Sequence, residues 1–384
     1  MKQKLIAVAV AGIFAAPAVA LAQASTVQIY GTLNAEYGFA GGAQKGAAKT
    51  NSWDGLNSGS SNLGFKGEEK LSGGMSAWFQ CETDLGFLKG DQGNGTLGRA
   101  ATQGGWCSRN SAVGVKGGFG SFYVGTWDSP TKRVVAQHRI IGETGWHGVQ
   151  GMLLSDGGGF TGTYSARNSN SLNYDSPNFS GFTVNAQTTS TKRAATTATA
   201  GLKGRSTSFS LNYGAGPLAA SMAYTAQDDN RSGGNAADGV NGRKDSAVVL
   251  GGSYTIGAAK IGLLYIDATS QPTATTELTR KSWNIAGTYK LSGPHSLVGG
   301  YTLAGDTKTN EAGVVADRGS NTGAHQYTIG YQNALSKRTT AGVTYMKNKN
   351  DTRSTGYSVG NNHIKDMTAG QSTDVIAMQL NHKF

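Results

Sequence analysis

Polar and apolar residues alternate one by one over stretch after stretch of this chain, and that pattern limits its possible folds more than any motif does. Ser206 to Tyr213 reads S-T-S-F-S-L-N-Y, with Thr207, Phe209, Leu211 and Tyr213 on one face and Ser206, Ser208, Ser210 and Asn212 on the other. Leu218 to Thr225 repeats the pattern after the tight turn Gly214-Ala215-Gly216-Pro217. Trp283, Ile285 and Tyr289 alternate with Ser282, Asn284 and Thr288, and Tyr327, Ile329 and Tyr331 with Gln326, Thr328 and Gly330. A period of two belongs to β-strands whose two faces meet different surroundings. Charged residues are 15% and hydrophobic residues 38%, against about 25% and roughly 45–50% in ordinary soluble domains. The chain avoids charge without gaining apolar mass, as expected where only every second side chain enters an apolar phase.

The connections alternate too. Short Gly-rich turns follow Lys116, Asp175, Tyr213, Tyr254, Leu291 and Tyr331, while long polar segments span about 129–170, 228–245, 305–323 and 348–371. Tyr174, Tyr213, Tyr254, Tyr289 and Tyr331 stand at or near successive short turns, so they are expected in one ring, where a bilayer interface selects aromatic side chains with a wet hydroxyl. Laid end to end, the hairpins give eight upward and eight downward strands from about Val27 to about Phe384, with both termini on the short-turn side. An open sheet of that size would expose its edges and a wide apolar face; closure into an all-β, 16-stranded antiparallel transmembrane barrel removes both problems. A soluble sandwich or β-helix would need a second apolar face, and the opposite positions are mostly Ser, Asn, Thr, Gly and Gln.

At the N-terminus Lys2 and Lys4 precede the uncharged run Leu5 to Ala16, and Ala20-Leu21-Ala22 supplies a small-x-small cleavage site. Residues 1–22 read as a signal peptide for Sec export and 23–384 as one barrel domain. The run is too short to cross a bilayer as a helix. There are 34 Lys and Arg against 23 Asp and Glu, a net +11, and loss of Lys2 and Lys4 lowers it by two to +9.

Several segments resemble the general diffusion porins of Gram-negative outer membranes, especially the β-proteobacterial kind. Val27-Gln28-Ile29-Tyr30-Gly31 is similar to their first strand, and Leu63-Gly64-Phe65-Lys66-Gly67-Glu68-Glu69 to their second strand and turn. Ser108 to Gly120 is similar to the fourth strand and turn; Asn173 to Gly181 and Leu335 to Thr339 are further matches, and the chain ends in a strand closed by Phe384. The resemblance implies a homotrimer in the outer membrane, a water-filled pore for small hydrophilic solutes, and a third loop folded inside to narrow it. It also implies that the barrel assembly machinery reads Phe384. Asn62 and Thr126 stand where many relatives carry pore arginines, which alters the charge pattern at the constriction.

Ser129 as N-cap with Pro130 at the first helical position starts a short helix in the third loop. Inside a barrel this loop brings Lys132, Arg133, Arg139, Glu143 and Asp156 into the pore. Strand parity turns Lys66, Lys260, Glu36, Glu82 and Asp84 inward, with Leu63 and Phe65 on lipid. Arg109 matches a family pore arginine, and an arginine facing lipid at the midplane would be costly. The walls nearly balance while the loop is net basic, so a mild anion preference is expected. A channel specific for small carboxylates or phosphate is the alternative within the same class.

Other signals carry less. Gly356-Tyr357-Ser358-Val359-Gly360 fits a nucleophile elbow but sits in a polar loop, and Gly93 to Gly98 fits a dinucleotide fingerprint without a βαβ unit. No catalytic nucleophile and base, cofactor site or metal-ligand spacing of His138, His147, His295, His325, His363 and His382 is evident. Neither an outer-membrane enzyme nor an adhesive barrel is favoured. Basic residues are dispersed rather than striped with aromatics, which argues against nucleic acid and for anionic solutes and lipopolysaccharide phosphates as partners. Cys81 and Cys107 are expected to form a disulfide in the oxidising periplasm. Strict alternation places them on opposite faces, so the pairing calls for a bulge in one strand.

Overall fold

The computed structural model describes residues 26–43, 53–88, 105–142, 146, 148–154, 163–189, 191–192, 203–228, 244–271, 275–310, 318–354, 356–359 and 368–384. Residues 1–22, expected as a signal peptide, and Glu143, His147, Asp156, His363 and Gly93 to Gly98, lie outside the described residues.

The strands are β1 (Thr26–Ala43), β2 (Trp53–Asn57), β3 (Asn62–Lys70), β4 (Ser76–Asp84), β5 (Ser111–Gly117), β6 (Gly120–Asp128), β7 (Arg167–Asp175), β8 (Phe182–Thr189), β9 (Thr191–Lys192) and β10 (Lys203–Ala215). They continue as β11 (Leu218–Asp228), β12 (Lys244–Ile256), β13 (Ala259–Ser270), β14 (Leu278–Lys290), β15 (His295–Ala304), β16 (Lys308–Thr309), β17 (Ala324–Ala334), β18 (Thr339–Asn350) and β19 (Ser372–Lys383). All belong to one antiparallel sheet that closes on itself where β1 pairs β19, from Thr32 opposite Lys383 to Ala43 opposite Ser372. Three pieces only prolong a neighbour: β2 continues β3 along β1, β9 continues β8 along β10, and β16 continues β15 along β14. Sixteen staves therefore form the barrel, as the hairpin count predicts.

The alternation has the outcome expected of it, inverted relative to a soluble protein. Phe209 and Leu211 are exposed on the outer wall while Ser208 and Ser210 are buried on the inner one. Tyr254 and Tyr289 are exposed near the turn end, and Tyr174 and Tyr213 stack on Phe122 and Phe182, forming the lower aromatic girdle. An upper girdle near the loop end pairs Tyr265 with Trp283 and Tyr301 with Tyr327. The wall is uneven in height: β10 to β14 run 11 to 13 residues, while β3 to β8 run 7 to 9.

Two expectations are corrected on the low side of the wall. Arg109 is not in a strand, because β5 begins at Ser111; its backbone N–H donates to Glu82 O across the gap above β5. Cys81 and Cys107 are joined in a disulfide without a strand bulge. Cys107 precedes β5 and takes a left-handed φ of 61°, which frees it from strand parity and swings its side chain over the outer wall beside Cys81. The neighbouring Trp106 lies over Phe65 on that outer wall and is largely exposed.

Candidate functional site

Inside the barrel the dominant feature is the connection from β6 to β7. Its neck is closed by Ser129 N–H donating to Ala166 O. Helix α1 (Pro130–His138) starts as the sequence dictates: Pro130 occupies the first turn and Ser129 Oγ accepts from Lys132 N–H at 3.2 Å. The helix lies on the inner wall of β10 to β13. Thr131 Oγ1 is hydrogen-bonded to Ser208 Oγ at 3.1 Å and to Thr225, and His138 Nε2 meets Ser221 Oγ at 3.0 Å. Val134 and Val135 pack with Ala223, Ala247, Val249, Leu264 and Ile266, so this sector of the lumen wall is apolar and covered.

His138 is seated where the wall has no side chains: a Cβ on Gly251 would meet its ring at 2.4 Å, and one on Gly262 would meet its carbonyl oxygen at 2.4 Å. Burial, with Lys260 nearby as a second cause, pushes the imidazole down to about 4 from its usual value, so it is neutral in the docked loop.

Beyond α1 the loop crosses to the seam of the barrel. Trp146 is fully buried against Ala40, Met346, Val375 and Ala377, its ring covers Gly38, and its Nε1 donates to Gly55 O at 3.1 Å. Its backbone N–H donates to Glu36 Oε2 at 2.7 Å, and Asn34 Nδ2 donates to the other oxygen at 2.7 Å. Glu36 therefore faces inward as parity requires, yet it is sealed under the loop rather than presented to the lumen. The chain returns through α2 (Gln150–Leu154), held by Arg280 of β14, which is 2% exposed. Arg280 donates to Leu153 O at 2.9 Å and to the Tyr357 hydroxyl at 2.7 Å, tying the inserted loop to the last loop. Ser358, the centre of the nucleophile-elbow pattern, donates its hydroxyl to Val359 O within that last loop.

The inserted loop thus covers the inner wall from β10 round to β1, and the low arc β3 to β8 faces it. That arc carries paired charges. Arg109 donates to Glu82 at 2.5 Å and to Asp84 at 2.6 Å; Lys132 and Arg167 share Asp128 at 3.3 and 3.1 Å; Arg133 donates to Asp175 at 2.7 Å; Lys116 pairs Glu68 at 2.6 Å. Among the described residues, the acidic side chains on the inner face of this arc are each bridged to a base. Lys66 stands 5.1 Å over the Tyr30 ring, whose hydroxyl donates to Glu82.

Of the residues singled out in the sequence, the structure brings Lys66, Glu82, Asp84 and Arg109 to one arc and Lys132 and Arg133 onto the facing helix. Arg139 caps that helix at its C-terminus, with its N–H donating to Val135 O. Lys260 takes the inward parity of Gly262 and Leu264 at the turn end of β13. Asn62 has the inward parity of Gly64, while Thr126 of β6 sits at a register shift between Gly125 and Trp127. Sequence reasoning missed Asp128, Arg167, Asp175 and Arg280. Arg280 was recoverable, since it shares the parity of Ser282 and Asn284; Asp128 and Arg167 are register partners across β6 and β7, and Asp175 gains its base only when the docked helix brings Arg133 to it.

Comparison with known proteins agrees with this architecture. The Gram-negative porin family model matches residues 7–353. Outer membrane porin protein 32 of Delftia acidovorans is 30% identical over 393 residues, covering 100% of both chains. The major outer membrane protein P.IB of Neisseria gonorrhoeae is 33% identical over 135 residues, 33% of this chain and 31% of that one. Among solved structures, the anion-selective porin from Comamonas acidovorans superposes with a TM-score of 0.71 at 24% identity, covering 94% of this chain and 100% of its own. The trimer form of OmpT from Vibrio cholerae gives a TM-score of 0.63 at 18% identity, with coverage of 94% and 100%. A closed 16-stave barrel with a loop folded into its lumen, matched by a porin along its full length, places the chain in the Gram-negative porin family as an outer-membrane porin.

Proposed function

We propose that the protein is a passive diffusion channel for small hydrophilic solutes, mildly anion-preferring, whose narrowest part lies between the inserted loop and the arc β3 to β8. One observation supports the preference: the carboxylates on that arc, Glu68, Glu82, Asp84, Asp128 and Asp175, are balanced by as many bridging bases, with Arg109 serving Glu82 and Asp84 while Asp128 takes Lys132 and Arg167. Glu36 is also withdrawn under Trp146, while the exposed Lys66 adds a cation to the lumen wall. In this reading Lys66, Arg109, Lys132, Arg133 and Arg139 set the potential that permeating ions feel, with Glu143 and Asp156 of the same loop opposing them. The anion-selective porin from Comamonas acidovorans, a structural neighbour, accords with it. No catalytic step is required of a conduit of this kind.

Planar-bilayer recording in a KCl gradient tests the proposal. A unit charge about 6 Å from an ion in a water-filled pore is worth about 0.7 kcal/mol before screening, and roughly half of that survives at 0.1 M salt. Arg133→Glu changes the charge by two and acts oppositely on the two ions. The chloride-to-potassium permeability ratio should therefore fall about tenfold at 0.1 M and about twofold at 1 M. A wild-type pore that prefers potassium, or a ratio unmoved by Arg133→Glu, would sink the assignment; current that saturates with a carboxylate or phosphate solute would favour a specific channel instead.

The low wall supports a homotrimer. A membrane-crossing strand needs about 9–11 residues, and β5 has 7, so lipid cannot be the sole neighbour of the wall there. Val113 is exposed on the outer face of β5; Val113→Glu should convert trimers to monomers on unheated native gels, and intact trimers would argue against this face. Export with removal of residues 1–22 and recognition of Phe384 by the assembly machinery complete the proposed life of the chain.

A further inference from the structure

Beside the constriction the barrel wall has a gap in its ladder, and a covalent bond spans it. β4 and β5 pair in register from Ser76 opposite Lys116 to Gln80 opposite Ala112, and the pairing ends there. Above that point the chain entering β5 follows β4 on isolated bonds. Gln80 Nε2 donates to Asn110 O at 2.8 Å, Glu82 N–H donates to Ser111 Oγ at 2.9 Å, Arg109 N–H donates to Glu82 O at 2.8 Å, and Cys107 N–H donates to Thr83 Oγ1 at 3.0 Å. Without a continuous ladder such a stretch opens at low cost, and Arg109 stands in the middle of it.

Two pins hold the stretch, one on each face of the wall. On the lumen side Arg109 reaches Glu82 at 2.5 Å and Asp84 at 2.6 Å, yet its side chain is 18% exposed and that of Asp84 31%, so water and salt compete for these contacts. On the outer side Cys107 is bonded to Cys81, and that bond does not exchange with solvent. With it, only Ser108, Arg109 and Asn110 separate two fixed points, Cys107 and the start of β5 at Ser111. Without it, Arg109 hangs at the foot of the long connection that begins after Asp84, since the disulfide closes a sequence separation of 26 residues. A longer free chain gives the side chain it carries more positions to occupy.

We propose that Cys81 and Cys107 are positioning residues for ion preference: their disulfide keeps the Arg109 guanidinium across Glu82 and Asp84, where permeating ions pass. With the disulfide open, Arg109 moves with its connection and both carboxylates face the lumen bare, so that a site with one excess negative charge becomes a site with two. The same stretch of wall then repels anions and draws cations. The inference deepens the diffusion-channel reading and rests on it for the part that Arg109 plays. A disulfide that only strengthened the barrel would leave ion preference untouched when cut, and the two roles separate on that point.

Zero-current potentials in a KCl gradient at 0.1 M test it on four proteins: wild type, Cys81→Ser with Cys107→Ser, Arg109→Gln, and all three substitutions together. Arg109→Gln removes one unit of charge, half the change made by Arg133→Glu, and should lower the chloride-to-potassium permeability ratio about threefold. The paired Ser variant should lower it about twofold with added current noise, because Arg109 is displaced rather than lost. In the Arg109→Gln background the paired substitution should change nothing further, since no cation is left to misplace. A ratio that shifts with Arg109→Gln but not with the paired Ser variant, or one that shifts equally in both backgrounds, would overturn the positioning role. A ratio unmoved by Arg109→Gln would instead remove Arg109 from the constriction, and the inference would fall with that part of the channel reading. Should the paired variant fail to fold, folded wild type is reduced with a phosphine, which takes oxygen from water as the phosphine oxide and leaves two thiols that iodoacetamide then caps. Cys107 is exposed to such reagents. Capped channels should show the same shift, and an unchanged ratio with both thiols capped by mass would equally refute the proposal.

Discussion

A methyl group added at Gly262 should dislodge the inserted loop. The Cβ of Gly262→Ala would fall 2.4 Å from the carbonyl oxygen of His138 and 2.7 Å from Ile140 Cδ1. Neither the helix end nor the strand can absorb that contact by a rotamer change, because the first obstacle is backbone. Restoring van der Waals contact requires about 1 Å of displacement, and overpacking of this order costs about 1–3 kcal/mol. Docking rests on the Thr131 and His138 hydrogen bonds and on the cluster around Val134 and Val135, so the docked fraction should shift by roughly 5- to 150-fold against the free loop. Single-channel recording should show new flickering between conductance levels, and limited proteolysis should cut residues 130–142 faster than in wild type. Gly299→Ala is the control, since its Cβ would face outward with nothing nearer than Thr328 O at 3.8 Å. If Gly262→Ala records like Gly299→Ala, the helix is not held against β13 and the reasoning fails.

Three further outcomes are expected. Arg280→Met removes the donor shared by Leu153 O and Tyr357 and should lower stability by about 1–3 kcal/mol while loosening both loops in hydrogen exchange; unchanged protection of residues 150–154 would contradict it. His138, in the inserted loop, has a docked pKa of about 4 below an undocked value near 6.5, so the undocked state binds more protons between the two. Docking should weaken as pH falls from about 6.5 towards 4, by about 1–2 kcal/mol at pH 5, and His138→Gln should abolish that dependence of channel noise. Deleting Phe384 removes the paired Gly31 N–H to Phe384 O and Phe384 N–H to Gly31 O bonds, 3.1 Å each, and the ring that covers Gly31; heat-modifiable barrel in the outer membrane should drop sharply, and undiminished amounts would count against a role in closure.

Much of the barrel was legible because one face of each strand meets lipid, and lipid tolerates little but apolar side chains there. Thr207 to Tyr213 and Tyr327 to Tyr331 point as their parity says. Legibility fails where a second apolar surface intervenes. Val248-Val249-Leu250 and Leu263-Leu264-Tyr265-Ile266 are unbroken apolar runs, the mark of strands covered on both faces, and they lie under α1. Alternation blurs them, although read in their own right they locate the docked loop. The ion pairs were illegible for another reason. Arg133 and Asp175 are distant in sequence and meet only where the loop comes to rest, while Arg167 and Asp128 meet through the register of β6 against β7. Cys107 shows the limit of parity itself, for the rule ends where the strand does, at Ser111.

The seat of Trp146 has a consequence for the order of events in assembly. It is made from Ala40 and Glu36 on the first strand, Met346 on the last but one, and Val375 and Ala377 on the final one. Met346 and Val375 already face each other across the β18–β19 hairpin, but the β1 part of the seat joins them only when the two ends of the chain have met. A barrel caught before that moment has nowhere to lodge the tip of its loop, so its lumen is still unobstructed when its edges are open. Narrowing of the passage is then the final act of construction, and an unfinished molecule would betray itself as a leak.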